Sequence, residues 1–109
     1  MEPAMEKLER KIAAIMLTDI YGYSKMMSNN ESKALTLLAV HDEIVSDVIT
    51  VHTGKILKKM GDAILAEFKS SVDALNCAIK IQDALKQYND QKAAKRAKLK
   101  PVRMAIRLS

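Results

Sequence analysis

Apolar residues run almost without a break from Ile12 to Leu17, with Lys11 before them and Asp19-Ile20 after. A short continuous apolar run is the pattern of a strand covered on both faces, so Lys11 to Ile20 reads as a central strand. Tyr21 to Ser28 reads as a loop with Gly22 at a tight point. Leu35, Leu38, Ile44, Val45, Val48 and Ile49 then recur at spacings of three and four, the period of a helix with one apolar face. Asn30 or Ser28 suits its cap, it runs to about His52, and Gly54 stands where a C′ glycine ends a helix. Lys55 to Met60 and Ala63 to Phe68 read as two strands joined by the two-residue turn Gly61-Asp62. Val72, Leu75, Ala78, Ile79, Gln82 and Leu85 mark a second helix, capped by Ser70 or Ser71, with Asp73 placed well for the helix dipole. The Ala/Lys-rich stretch extends this helix toward Lys98, Pro101 closes it, and Val102 to Ser109 alternates as a last strand.

The order β-α-β-β-α-β predicts an α+β fold, a ferredoxin-like sandwich with both helices on one face of an antiparallel sheet. In that topology the first and third strands are central neighbours running in opposite directions. The end of the first, at Asp19, then lies beside the turn that begins the third, at Asp62. Two carboxylates about 4 Å apart repel by roughly 1 to 4 kcal/mol, depending on the effective dielectric. A hard divalent cation between them removes that penalty, and Mg²⁺ commonly takes one or two carboxylates plus substrate phosphates.

Composition narrows the classes. A chain of 109 residues, 49% hydrophobic, fits one ordinary domain with one core. The formal net charge of +5 suits an anionic ligand without implying nucleic acid. The single cysteine, Cys77, excludes an internal disulfide framework and fits a small core residue in a reducing compartment. The N-terminus is charged and lacks the apolar centre of a signal peptide, and no stretch approaches the roughly 20 apolar residues that span a bilayer. A soluble, cytoplasmic domain without membrane contact is therefore expected. The seven methionines read as core filler. His41 and His52, roughly three helical turns apart, are too distant to share a metal. A base-stacking RNA-binding sheet is disfavoured, because the first strand has no aromatic before Tyr21 and the third has only Phe68, at its end.

Three stretches resemble the catalytic domain of class III adenylate and guanylate cyclases: Arg10 through Ser24, with Asp19-Ile20-Tyr21-Gly22-Tyr23-Ser24 at its end; His52 through Phe68, with Lys58-Lys59-Met60-Gly61-Asp62; and Val102 through Arg107. The two aspartate motifs together, at this spacing, form a specific signal that neither gives alone. The resemblance implies conversion of ATP to cyclic AMP and pyrophosphate with two Mg²⁺ or Mn²⁺ ions, in cyclic-nucleotide signalling. It gives Asp19 and Asp62 the catalytic metal-binding roles and adds the Ile20 carbonyl as a metal ligand. The backbone N–H groups of Tyr21, Gly22 and Tyr23 match the loop that holds the triphosphate, and Lys58 matches the base-reading lysine of adenylate cyclases. It also implies a homodimer, or a heterodimer with another cyclase domain, because family sites are shared between two subunits. On this reading residues 1–9 are an N-terminal extension and 10–109 a cyclase-like domain lacking the usual C-terminal part.

Plainer readings stand beside these. Asp62 also suits an ordinary Gly-Asp hairpin, Lys58 a solvated strand lysine, and Tyr21 and Tyr23 aromatic cover for the sheet. The whole domain also suits a non-catalytic nucleotide-binding or dimerisation module. The family's downstream Asn and Arg, which stabilise the transition state, have no counterpart between Val102 and Ser109. The 109-residue polypeptide alone is therefore expected to form no cyclic AMP above background with Mn²⁺ and ATP. Loss of a cationic group of that kind costs about 10³ to 10⁵ in rate in other phosphoryl-transfer enzymes. A product assay on the purified chain checks this, and clear turnover contradicts it.

Overall fold

The computed structural model describes residues 14–91 and the backbone of residues 102–108. The expectations for residues 1–9, for Lys11, for the helix extension to Lys98 and for Pro101 lie outside that range. The elements are β1 (Ala14–Ile20), α1 (Tyr23–Asn29), α2 (Glu31–Val51), β2 (Lys55–Met60), β3 (Ala63–Phe68), α3 (Ser71–Gln91) and β4 (Val102–Leu108). The strands form one sheet in the order β2-β3-β1-β4, every neighbouring pair antiparallel. This is the expected ferredoxin-like arrangement, with α1 as an addition.

Strand alternation sets the two faces of the sheet. Ala14, Met16, Thr18 and Ile20 of β1 are buried, as are Ile64, Ala66 and Phe68 of β3. Ala14, Met16, Ile64, Ala66 and Phe68 meet Leu37, Val45 and Ile49 of α2 and Ala74, Cys77, Ile81 and Leu85 of α3 in one core. Burying each large member stabilises by about 1.5 to 3 kcal/mol. The opposite face carries Ile15, Leu17 and Asp19, and Leu17 there is 39% exposed. The expectation that β1 is covered on both faces is thus corrected: the helices cover one.

Other expectations shift for physical reasons. The segment after Gly22 is a seven-residue helix rather than a loop, with no fully buried residue, so it leaves no apolar period to read. The buried face of α2 is Ala34, Leu37, His41, Val45 and Ile49, while Leu35 is 47% exposed. On α3, Val72, Leu75 and Ile79 are exposed. Small Ala74 and Cys77 join the expected Ala78 and Leu85 on the core side, and a helix that turns small residues inward can approach a sheet closely. Asn30 caps α2, its Oδ1 accepting from the Lys33 N–H at 3.1 Å, and Ser70 caps α3 by accepting from the Asp73 N–H at 3.1 Å.

Helix α2 ends in a Schellman motif. The Gly54 N–H bonds the Ile49 carbonyl at 2.8 Å and the Thr53 N–H bonds that of Thr50 at 3.0 Å. The left-handed C′ position is filled by Thr53, with φ 59°, not by Gly54. Gly54 is required one residue later for space. A Cβ there would lie 2.5 Å from Phe68 Cε2 and 2.8 Å from Ile49 Cγ2.

Gly54→Ala is expected to cost about 1 to 3 kcal/mol by forcing Phe68 aside, read as a lower urea midpoint at unchanged slope. Burial pushes the Cys77 thiol pKa up from 9.0 to about 11. The folded state thus favours the neutral thiol, so its contribution to stability is full below about pH 9 and is lost as pH rises through about 11. Thiol-reagent labelling at pH 8 should accordingly be slow in the folded chain and fast in urea.

Candidate functional site

The ladder between β1 and β3 runs from Ala14 opposite Phe68 to Thr18 opposite Ile64. Beyond that pair the strands part, and β3 gives way to the turn Gly61-Asp62. Gly61 has φ +60° and Asp62 does not have a positive φ, the sign pattern of a type II′ hairpin turn with glycine at its first central position. Ile20 is 3% exposed, so its N–H needs a partner. The Asp62 side chain supplies it: Oδ2 accepts from the Ile20 N–H at 2.8 Å. A carboxylate thus continues the ladder where the main chain no longer reaches.

That bond brings the two aspartate motifs together. The Ile20 nitrogen is two covalent bonds from Asp19 Cα, so Asp62 Oδ2 lies within roughly 5 Å of that atom. Both aspartates are partly buried. Asp19 lies on the open face of the sheet, its backbone opposite Arg103 of β4. Among the described residues no group of three or more His, Cys, Asp or Glu is placed to hold a metal. Asp19 and Asp62 are the carboxylate-bearing residues of this corner, and carboxylate oxygen is the hard donor that suits Mg²⁺ and Mn²⁺.

Around the corner lie the other sequence-derived residues. Gly22 takes φ 75°, ψ 17°, and begins α1 without a capping side chain. A Cβ at Gly22 would meet nothing within 4 Å, so the conformation and not space favours glycine. Tyr21 is 60% exposed and Tyr23 partly buried, so Tyr21 does not serve as cover for the sheet.

Lys58 sits on edge strand β2, whose residues are all exposed. A register shift between Ile56 and Lys58 places a bulge at Leu57. Past it, Lys58 stands opposite Leu65 and shares the open face with Leu17 and Asp19, while Lys59 stands opposite Ile64 and turns toward the helices. Without the extra residue the two lysines would exchange faces. Lys58 is about two strand spacings, roughly 10 Å, from β1.

The sequence reading missed a polar group on the helix side. His41 is 1% exposed, and its Nδ1 lies 2.9 Å from Asp42 Oδ1. Asp42 Oδ2 accepts from Lys59 Nζ at 2.6 Å, and Lys59 Nζ also donates to the Gly61 carbonyl at 3.1 Å. Thr18 Oγ1 and His41 Nε2 are buried without a hydrogen-bond partner among the described residues. The adjacent His41-Asp42 pair was visible in sequence, but its link to Lys59 depends on the bulge.

No family model matches the chain. It is 37% identical over 87 residues to a provisionally named adenylate cyclase 3 of Rhizobium meliloti (strain 1021), covering 79% of this chain and 15% of that protein. It is 32% identical over 76 residues to a Myxococcus xanthus protein named serine/threonine-protein kinase pkn2, covering 69% of this chain and 9% of that protein. The chain thus spans a small part of each relative. Among solved structures, an adenylate/guanylate cyclase/hydrolase from Silicibacter pomeroyi aligns at TM-score 0.75 and 31% identity, covering 91% of this chain and 57% of that one. The guanylyl cyclase Cya2 aligns at TM-score 0.69 and 28% identity, covering 88% of this chain and 52% of that one. Sequence motifs, sheet order and these likenesses agree, and the chain belongs to the class III adenylate/guanylate cyclase catalytic-domain family.

Proposed function

We propose that this domain binds ATP with two divalent cations, Mg²⁺ or Mn²⁺, and acts within a dimeric adenylate cyclase that forms cyclic AMP and pyrophosphate. The observation that carries the proposal is the Ile20 N–H to Asp62 bond, which sets a second carboxylate beside Asp19. Asp19, Asp62 and the Ile20 carbonyl hold the cations. Bound there, the cations supply charge neutralisation for the triphosphate and activation of the ribose 3′-hydroxyl. The N–H groups of Tyr21, Gly22 and Tyr23 meet the triphosphate oxygens at the left-handed turn of Gly22. Lys58, on the same open face, reads the purine, and a lysine there favours adenine over guanine. The partner is a second cyclase domain, laid over the open face where Leu17 and Leu65 flank Asp19. Among the described residues no helix is long and apolar enough to cross a membrane. The likeness to part of a protein named as a kinase favours, as a second reading, a non-catalytic module of the same fold.

Calorimetric titration tests the binding step. The chain should bind Mn²⁺–ATP, and ATP with a chelator should bind far more weakly. Asp19→Ala should weaken Mn²⁺–ATP binding by about tenfold or more, since even outer-sphere changes cost about 10–100-fold in metal affinity. At position 62 two variants separate the fold role from the cation role. Asp62→Asn keeps an oxygen for the Ile20 N–H and should leave stability nearly unchanged while abolishing metal-dependent binding. Asp62→Ala orphans a buried amide and should also lose about 1 to 3 kcal/mol. Equal nucleotide affinity with metal and with chelator would reject the reading. Mixing the chain with a longer cyclase domain whose own metal aspartates are mutated should yield cyclic AMP, which the non-catalytic reading does not allow.

A further inference from the structure

The polar chain from α2 to the hairpin ends one residue before the site. Lys59 Nζ grips the Gly61 carbonyl, and Gly61 is covalently joined to Asp62. Asp42 holds Lys59 from the helix side, and Asp42 is itself held by His41 in the core. A carboxylate only accepts, so His41 Nδ1 carries the proton it shares with Asp42. We propose that the Asp42–Lys59 pair, seated on buried His41, is a positioning device. It ties the Gly61-Asp62 turn to α2 and so keeps the Asp62 carboxylate on the Ile20 amide. Asp42 and Lys59 touch neither cation nor nucleotide in this scheme. They act through the turn.

Three observations converge on this role. β2 is an edge strand with every residue exposed, so little packing fixes the tip of its hairpin. A two-residue turn led by a glycine has no side chain of its own at its first central position to brace it. The bulge at Leu57 is what turns Lys59 toward α2, and it simultaneously sends Lys58 to the open face with Asp19. Lys59 is 47% exposed, so the ion pair adds little to global stability. Its effect is therefore local, on the order of the turn.

As a statement about metal–nucleotide binding the inference rests on the proposed function; as a statement about the turn it does not. Amide hydrogen exchange on the metal-free chain tests the latter. Lys59→Met and Asp42→Asn should each lower protection of the Ile20 amide by about fivefold, with the amide of Ile81 in α3 unchanged. Lys59→Arg should restore it. Unchanged protection at Ile20 in both variants overturns the proposal, and so does an equal loss at Ile81, which would make the pair a general stability element. Mn²⁺–ATP titration of the same proteins forms the second arm. Weaker binding by Lys59→Met than by the unaltered chain extends the positioning role to the ligand. If the unaltered chain fails to bind Mn²⁺–ATP, the nucleotide reading falls while the exchange at Ile20 still decides the positioning role.

Discussion

The hydrogen bond from the Ile20 amide to the Asp62 carboxylate joins two motifs that sequence separates by two helices and a strand. Its origin is a shortage. β1 runs past the end of β3, and the next amide of β1 is buried with no carbonyl opposite it. A buried N–H left without an acceptor costs about 1 to 3 kcal/mol. A side chain from the hairpin turn meets that need, so the end of β1 and the start of β3 are fixed to each other by fold energetics before any ligand arrives. The antiparallel order of the central strands makes this meeting unavoidable. The type II′ turn then decides that the residue doing the bonding is the one after glycine.

The register of β2 governs what surrounds the corner. Strand side chains alternate strictly, so one added residue reverses every assignment beyond it. The bulge at Leu57 separates two adjacent lysines by face: one faces the surface that carries Asp19, the other meets Asp42 on α2. Composition alone treats these lysines as equivalent.

Much of the fold was legible because β strands and helix caps leave short-range marks. The ends of β2 and β3, the Gly61-Asp62 turn, and the caps at Asn30 and Ser70 all follow from residues within a few positions. The helix faces were less legible. Apolar bulk pointed to Leu35, Val72, Leu75 and Ile79, yet packing against the sheet selected Ala34, Ala74 and Cys77, which admit close approach. Gly54 was assigned to the wrong job for a related reason. Its local signature is that of a helix stop, but the Phe68 ring claims the space, and Thr53 takes the left-handed position instead. Asp19, Ile20 and Asp62 were singled out through paired motifs. Asp42 and Lys59 were not, because their meeting depends on a bulge that no residue type announces.

Asp62 does two separable things, and the difference bears on what the corner is for. The Ile20 amide requires an oxygen, which an asparagine would supply as well. It does not require a charge. Yet the chain places a full negative charge there, within roughly 5 Å of Asp19 Cα. The charge also strengthens the bond itself, since a carboxylate accepts from an N–H more strongly than an amide oxygen does. The group that closes the ladder is also of the kind that a hard divalent cation takes. Position 62 thus serves the hairpin in full, and the cation-binding role proposed for it rests on the second aspartate, Asp19, at the same corner.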